Sequence, residues 1–167
     1  MSLYLGIDVG LHGALAWYES FTQQLVVEDM PVLSVTVNVN VKNQIDIYKL
    51  GWLICSKGEV HKAVVESVSS APGQGVTSAF SFGFSAGCAQ MAVAAQSVPM
   101  DLAHPRIWKK VMGVTADKDT SFRAASRLLP KYSYLWARKK DDGRAEAALI
   151  ALYAAQTDRN RVMRDLL

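Results

Sequence analysis

The stretch LYLGIDVGLHGALAWYE, residues 3–19, decides the fold. Residues 3–9 form a short apolar run that contains Asp8 and ends at a glycine turn, which predicts a central β-strand. Residues 14–19 and 24–29 follow at the spacing of hairpins, so we expect three antiparallel strands. The alternating residues 32–41 predict an extended continuation or an edge strand.

Beyond residue 45 the predicted connections change from hairpins between antiparallel strands to helices that cross between parallel strands. Apolar residues at helical spacing predict helices over residues 46–57, 77–97, 105–112, 121–129 and 142–153. Two further strands are predicted between them, over residues 62–67 and 98–102. We therefore expect an α/β fold: a mixed five-stranded sheet, its first three strands antiparallel, flanked by helices on both faces. No repeat or linker interrupts residues 1–167, which predicts a single domain.

The second predicted helix is rich in small residues and also carries Phe80, Phe84 and Met91 on one face. We expect that face to pack on the domain's own sheet, and a dimer interface is the alternative. Cys55 and Cys88 stand in apolar stretches, so they are expected to be buried thiols in a reducing compartment. No apolar run approaches the length of a membrane span, and the N-terminus lacks the pattern of a signal peptide, which predicts a soluble intracellular protein.

Two acids stand where the predicted sheet presents its strand ends. Asp8 lies at the end of the first strand, and Glu66 lies in the apolar run AVVES at the end of the fourth. Parallel neighbouring strands would bring the two side by side. A buried carboxylate requires a compensating partner, so Glu66 is either a metal ligand or half of a structural ion pair. For Asp8 alone the indication is weaker, because DxG turns are common at strand ends.

The last predicted helix begins with acids. Asp142 and Glu146 are four residues apart, so they lie on one helical face. Acids in a first turn also stabilise the helix dipole, and Asp141 is expected to be either a cap or a competitor of Asp142 for the same role. Converging carboxylates are the ligands that Mg²⁺ prefers. The sequence therefore predicts a divalent-metal site.

Charge is distributed unevenly along the chain. Residues 101–167 carry 14 Lys and Arg against 8 Asp and Glu, whereas residues 1–100 carry 4 against 7. Such residues are often only a solvated helix face, but a basic rim around an acidic centre is typical of a site that holds phosphates against metal ions. The candidates for this rim are Lys109, Lys110, Lys118, Arg123, Arg138, Lys139, Lys140 and Arg144.

Four motifs together resemble the RuvC-like Holliday junction resolvases. They are LGIDVGLHGALA, VVES before a glycine-rich loop, PRIWKKVMGVTADK and KKDDGRAEAALIALYA. They occur in the family's order over nearly the whole chain, and they look most similar to the branch of plant chloroplast and phage resolvases. The resemblance implies an RNase H-like fold, a homodimer, binding of four-way DNA junctions, and nicking of two opposing strands with Mg²⁺ or Mn²⁺, two ions per active site.

The resemblance also implies roles for single residues. Asp8, Glu66, Asp142 and Glu146 match the metal ligands, and Lys118 matches the active-site lysine that contacts the scissile phosphate. Gln74 and Gly75 fall in the loop that probes the junction centre, and residues 80–87 match the dimer-forming helix. The basic residues expected on the DNA are Lys109, Lys110, Arg123, Lys139, Lys140 and Arg144.

This chain departs from the family at three places. Bacterial members end in two aspartates three residues apart, whereas Asp142 and Glu146 are four apart. The plant branch has a histidine at the position of Asp142, so that residue is either a ligand or a base. The aromatic residue that follows the strand-four glutamate in bacterial members has no counterpart here.

Other interpretations remain at this point. Actin-like and sugar-kinase ATPases share the first DxG turn but need two such domains, for which 167 residues leave no room, so no nucleotide cofactor is expected. A non-catalytic junction-binding protein would have lost an acid, and a related nuclease could cut RNA–DNA hybrids or other branched DNA. His12, His61 and His104 have no metal-ligand spacing. The expected compartment is the cytoplasm of a bacterial or phage-infected cell, or an organelle stroma if the chain comes from a plant.

Overall fold

The computed structural model describes residues 2–37, 39–70, 73–115 and 119–165. Its strands are β1 (Leu3–Asp8), β2 (Ala14–Glu19), β3 (Leu25–Asp29), β4 (Val32–Val37), β5 (Asn40–Ile45), β6 (Val60–Glu66) and β7 (Met100–Ala103). Five of them form one sheet in the order β3-β2-β1-β6-β7. Strands β1, β2 and β3 are antiparallel, whereas β6 pairs parallel to β1 and β7 parallel to β6. The predicted mixed sheet is confirmed.

Helices cover both faces of this sheet, as the sequence predicted. They are α1 (Ile47–Ser56), α2 (Val76–Ala94), α3 (Pro105–Met112), α4 (Asp119–Leu128) and α5 (Asp142–Asp165). Because side chains alternate along β1, Leu5 and Ile7 pack on the face covered by α1 and α2, while Tyr4 lies on the face covered by α4 and α5. Burial on both faces explains why β1 is a nearly continuous apolar run.

Helix α5 lies unusually close to the central strand. A Cβ atom on Gly6 would collide with the backbone of Ala147 and Ala151, so only glycine permits this approach. The helix continues to Asp165 instead of ending at residue 153 as predicted. Its polar last turns are anchored by Asp158, which accepts a hydrogen bond from Tyr4 Oη (3.0 Å) and lies 2.9 Å from His61 Nε2.

The alternating stretch 32–41 does form an extended strand over residues 32–37, as predicted, and β4 pairs with β5 in a two-stranded sheet separate from the main one. Besides the end of α5, two further expectations from the sequence were wrong. Cys55 is exposed rather than buried, since it lies on the outer face of α1.

The third error concerns α2, whose sheet-facing side is made of small residues, Ser85, Ala86, Ala89 and Val93. The side with Phe80, Phe84 and Met91 is exposed instead of packing on the sheet. Among the described residues, no helix is long and apolar enough to cross a membrane.

Candidate active site

Two acidic side chains meet where the central parallel strands end. Asp8 is the last residue of β1 and Glu66 the last of β6, and the preceding residues, Ile7 and Val65, are paired in register. Parallel pairing puts the carboxyl ends of both strands at one edge of the sheet, so the two carboxylates are neighbours. This juxtaposition follows the prediction from the sequence.

Asp8 lies in an environment that disfavours its ionised form. Burial raises the pKa of Asp8 well above its usual range, and the nearby carboxylates of Glu66 and Glu146, and more weakly Asp142, raise it further. Lys109 acts in the opposite direction but less strongly than either glutamate. All four predicted acids are therefore close enough to interact electrostatically, and their negative charge exceeds what Lys109 balances.

Glu66 is buried and held by one specific partner. Trp108, fully buried on α3, donates a hydrogen bond from Nε1 to Glu66 Oε1 (3.0 Å). Burial raises the pKa of Glu66, while the Trp108 hydrogen bond lowers it because an N–H donor favours the carboxylate. The indole thus fixes the orientation of a carboxylate that would otherwise be costly to bury.

Glu146 reaches the same region from the second turn of α5. Its Oε1 accepts hydrogen bonds from Lys109 Nζ and from Ser121 Oγ, both at 2.8 Å. The Lys109 ammonium also lies over the Trp108 ring, 5.1 Å from its centroid. Residues of α3 and α4 therefore orient both Glu66 of β6 and Glu146 of α5.

The neighbours Asp141 and Asp142 point to different places. Asp141 is buried and forms two hydrogen bonds with the Arg138 guanidinium, at 2.8 and 2.9 Å; these bonds hold the pKa of Asp141 below its usual range. Asp142, one residue later, is exposed and lines the same cavity as Asp8 and Glu146. Asp142 is thus placed with the other acids, and Asp141 supports the start of α5.

Gly143 explains how α5 can begin so close to β1. A Cβ atom there would collide with the carbonyl oxygen of His12, lie 2.9 Å from Gly13 Cα and lie 3.1 Å from Asp8 Oδ2. The absent side chain lets the first turn of α5 sit against the β1–β2 turn. This contact brings Asp142 to the side of Asp8.

The acids border an open cavity of about 570 Å³. Its lining combines carboxylates, Lys109, hydroxyls and the β1–β2 turn: Asp8, Val9, Gly10, Leu11, His12, Gly13, Phe82, Lys109, Thr115, Ser121, Asp142, Gly143 and Glu146. Glu66 lies behind this lining, next to Asp8.

The donor chemistry suits a hard divalent cation, since carboxylate oxygens surround Asp8 and their mutual repulsion raises its pKa. Over the described ranges, however, no three His, Cys, Asp or Glu side chains already converge tightly enough to hold an ion. Glu146 is turned toward Lys109 and Glu66 toward Trp108. The carboxylates therefore fit a divalent metal ion in their chemistry, although the described side chains do not converge on one point.

The remaining predicted residues fall into four groups. Lys110, Arg123, Lys139 and Lys140 are exposed. Gln74 is half-buried, and Gly75 caps the start of α2. Arg144 instead binds Asp29 with two hydrogen bonds of 2.6 Å and donates to the Leu135 carbonyl, so its donors already serve the fold. Lys118 lies outside the described residues; Thr115, shortly before it, lines the cavity.

Reasoning from the sequence missed Trp108, Ser121 and Gly143. Trp108 precedes Lys109 in the resembling motif, but no local pattern connects it with a glutamate 42 positions away. Gly143 was detectable in principle, because glycine is unfavourable inside a helix and its presence in a first turn indicates a close approach.

No protein-family model matches the chain, and no curated protein is significantly similar to it in sequence. Solved structures do share its fold. Thermus thermophilus RuvC in complex with a Holliday junction substrate matches with a TM-score of 0.60 and 14% identity over 95% of this chain and 96% of that chain. A second Thermus thermophilus RuvC structure gives 0.58 and 17% identity over 94% and 95%.

The yeast mitochondrial Holliday junction resolvase Ydc2 gives a TM-score of 0.58 and 15% identity over 99% of this chain and 85% of that chain. The chain therefore has the RuvC-like RNase H fold. The likeness to the chloroplast and phage branch stays a prediction from the sequence motifs.

Proposed function

We propose that this protein is an endonuclease that resolves four-way DNA junctions by nicking two opposing strands. The observation that carries the proposal is the gathering of Asp8, Glu66, Asp142 and Glu146 at the carboxyl ends of β1 and β6, with Lys109 among them. The fold supports the proposal, because RuvC in complex with a Holliday junction substrate and the resolvase Ydc2 have the same fold. Residues 1–167 would form one nuclease domain.

In this proposal the four acids hold Mg²⁺ or Mn²⁺, two ions per site. When bound, these ions supply a water nucleophile at neutral pH and stabilise the charge on the leaving 3′-oxygen. Cleavage of the bond between phosphorus and the 3′-oxygen leaves a 5′-phosphate and a 3′-hydroxyl.

The chain's own residues prepare the site for a phosphate. Trp108 and Ser121 each hold one carboxylate beside Asp8 through a hydrogen bond, that of Glu66 and that of Glu146 respectively. The Lys109 ammonium reduces the negative charge that an incoming phosphate meets. Lys118 is proposed as the second cation, in contact with the scissile phosphate.

Binding to DNA would use the exposed basic residues around the cavity. Lys110 on α3, Arg123 on α4, and Lys139 and Lys140 just before α5 would contact phosphates outside the cleavage site. Gln74 and Gly75, at the start of α2, would lie near the junction centre. Arg144 contributes indirectly, through its structural pair with Asp29.

We also propose that the protein is a homodimer through the exposed face of α2. Phe80, Phe84 and Met91 are 76%, 45% and 66% exposed, and the last two border an apolar groove of about 500 Å³ between α1 and α2. An exposed apolar patch of this kind is typical of an interaction surface. Two subunits related by a two-fold axis would act on two opposing strands of a roughly two-fold junction.

The proposed site of action is the cytoplasm of a bacterial or phage-infected cell. Free cysteines at positions 55 and 88 are consistent with a reducing compartment.

A panel of substrates tests the proposed function. The protein is incubated with a labelled immobile four-way junction, a duplex of matched sequence and an RNA–DNA hybrid, each with Mg²⁺ or with EDTA. We expect Mg²⁺-dependent nicks in the junction and no comparable cleavage of the duplex or the hybrid. Preferential hybrid cleavage would instead identify a ribonuclease of the same fold, and junction binding without cleavage would identify a binding protein.

A further inference from the structure

A second groove adjoins the candidate active site, and the proposed cleavage chemistry does not require it. This groove, about 370 Å³, lies between the β4–β5 hairpin and the segment that leads into α5. It shares the β1–β2 turn residues Leu11, His12 and Gly13 with the acidic cavity, so the two form a continuous path across His12. From the hairpin it is lined by Val32 and Asn43.

The opposite wall of this groove is cationic at its surface. Lys140 is exposed, and the Arg138 side chain is 58% exposed although it pairs with Asp141. The two acids of the groove, Asp29 and Asp141, are each bound by an arginine, so neither presents an unbalanced negative charge. Lys140 therefore gives the groove an excess of positive charge.

The hairpin itself has a composition that suits a polyanion. Residues 32–45 (VLSVTVNVNVKNQI) contain one lysine and neither aspartate nor glutamate. Ser34 and Asn43 are cross-strand partners, with Ser34 Oγ donating to Asn43 Oδ1 at 2.8 Å, and Thr36 pairs with Val41 on the same face. These exposed hydroxyl and amide groups are typical of side chains that contact the DNA backbone.

Among the described residues, one face of the hairpin is exposed to solvent. A two-stranded sheet is marginally stable by itself, and this one is anchored at its base, where Ile45 is buried, while Ser34, Thr36, Val41 and Asn43 face solvent. Its strands do not extend the main sheet. Beside the cavity, the hairpin therefore presents a face without acidic residues, in which the polar Ser34, Thr36 and Asn43 stand among exposed valines.

We propose that this groove binds the sugar–phosphate backbone of the duplex arm that leaves the active site. Lys140 would contact a phosphate, and Asn43, held by Ser34 through its Oδ1, would donate a hydrogen bond from its amide nitrogen to the backbone. His12 would lie between the cleavage site and the arm. The inference rests on the proposed junction nuclease activity and adds the surface that holds one arm. Since the contacts are to the backbone, they would be independent of sequence.

The experiment uses two nearly isosteric substitutions on opposite faces of one strand. Asn43→Asp places a negative charge in the groove, and Ser34 can still donate to it. Gln44→Glu places the same charge on the other face, where Gln44 pairs with Leu33 and is exposed. Junction affinity is measured with both variants at several salt concentrations, together with Lys140→Ala, and hydroxyl-radical footprints are recorded on all four arms.

We expect Asn43→Asp to weaken junction binding about tenfold, in keeping with a lost hydrogen bond to a charged group. Its footprint should lose protection on the two arms related by the two-fold axis, one for each subunit, whereas Gln44→Glu should change affinity by less than about twofold. Lys140→Ala should lower the slope of log affinity against log salt by about one for each subunit. Unchanged thermal unfolding of the variants verifies that the hairpin is intact.

Two results would overturn the inference. If the wild type cuts junctions but Asn43→Asp and Gln44→Glu have equal affinities and footprints, the groove does not hold an arm while the proposed function stands. If the wild type neither binds nor cuts junctions, the proposed function fails and this inference fails with it.

Discussion

Replacing Gly143 with alanine tests how the first turn of α5 positions the acids. The new Cβ atom would collide with the His12 carbonyl oxygen and approach Gly13 Cα to 2.9 Å and Asp8 Oδ2 to 3.1 Å. Two of these three neighbours are backbone atoms, which cannot rotate away. The start of α5 must therefore shift, and Asp142 moves with it relative to Asp8.

The expected change in the free energy of unfolding follows from two opposing effects. Overpacking in a tight contact costs about 1–3 kcal/mol, and alanine recovers up to about 1 kcal/mol through its higher helix propensity. A net loss of about 1–2 kcal/mol corresponds to a fall in Tm of about 2–8 °C for a domain of this size. Nicking should fall by about tenfold to a hundredfold, because catalytic geometry tolerates little displacement.

Thermal unfolding and junction nicking are measured for Gly143→Ala beside a matched control, Gly51→Ala. Gly51 lies inside α1, and apart from its chain neighbours and the surrounding helix backbone no described atom lies within 4 Å of the position that an alanine Cβ would occupy there, so this substitution should stabilise the protein by about 0.5–1 kcal/mol. If Gly143→Ala also raised Tm and left nicking intact, the close contact between α5 and the β1–β2 turn would be refuted.

Four further predictions concern three acids and the exposed face of α2. Asp141→Asn should lower the stability at pH 7 by about 1–3 kcal/mol and leave nicking intact; because the pKa of Asp141 is lowered mainly by its hydrogen bond to Arg138, this difference in Tm is present above about pH 4 and should shrink as the pH falls. Asp142→Asn should do the opposite, abolishing nicking while changing stability by less than about 0.5 kcal/mol in unfolding experiments. Glu66→Gln should reduce nicking at least about a hundredfold in single-turnover assays, yet without metal it should unfold no earlier than the wild type, since it removes a buried charge. Phe84→Lys should convert a dimer to a monomer in light scattering and uncouple the two nicks, whereas a wild-type monomer would contradict the proposed interface.

Much of the fold was predictable from the sequence because its signals are local. The apolar run through β1, the hairpin spacing of β2 and β3, and the helical periodicity of α1 each depend on neighbouring residues. The end of α5 was not predictable in this way. Its polar last turns are held by Tyr4 and His61, which lie far away in the chain.

The same distinction between local signals and tertiary contacts applies to the residues of the candidate site. Asp8 and Glu66 were predicted as site residues because they lie at strand ends, and Glu146 was predicted from its spacing along a helix. The choice between Asp141 and Asp142 depends on the phase of α5, which is set by the short 3₁₀ turn Lys139–Asp141 and by the contact at Gly143. Adjacent residues on a helix differ by about 100° in direction, so a small change in phase exchanges their roles. The Trp108–Glu66 hydrogen bond depends on tertiary packing, for which no local pattern exists.

Strand-resolved nicking of an immobile four-way junction by the wild type and by Asp8→Asn tests the central claim most directly. Each of the four strands is labelled in turn, and both proteins are used at concentrations where they bind the junction equally. The wild type should nick two opposing strands at symmetric positions with Mg²⁺, leaving 5′-phosphates, and Asp8→Asn should bind without cutting. Cleavage that persists in Asp8→Asn, or binding by the wild type without any cleavage, would contradict the claim that this acidic cleft is the nuclease site.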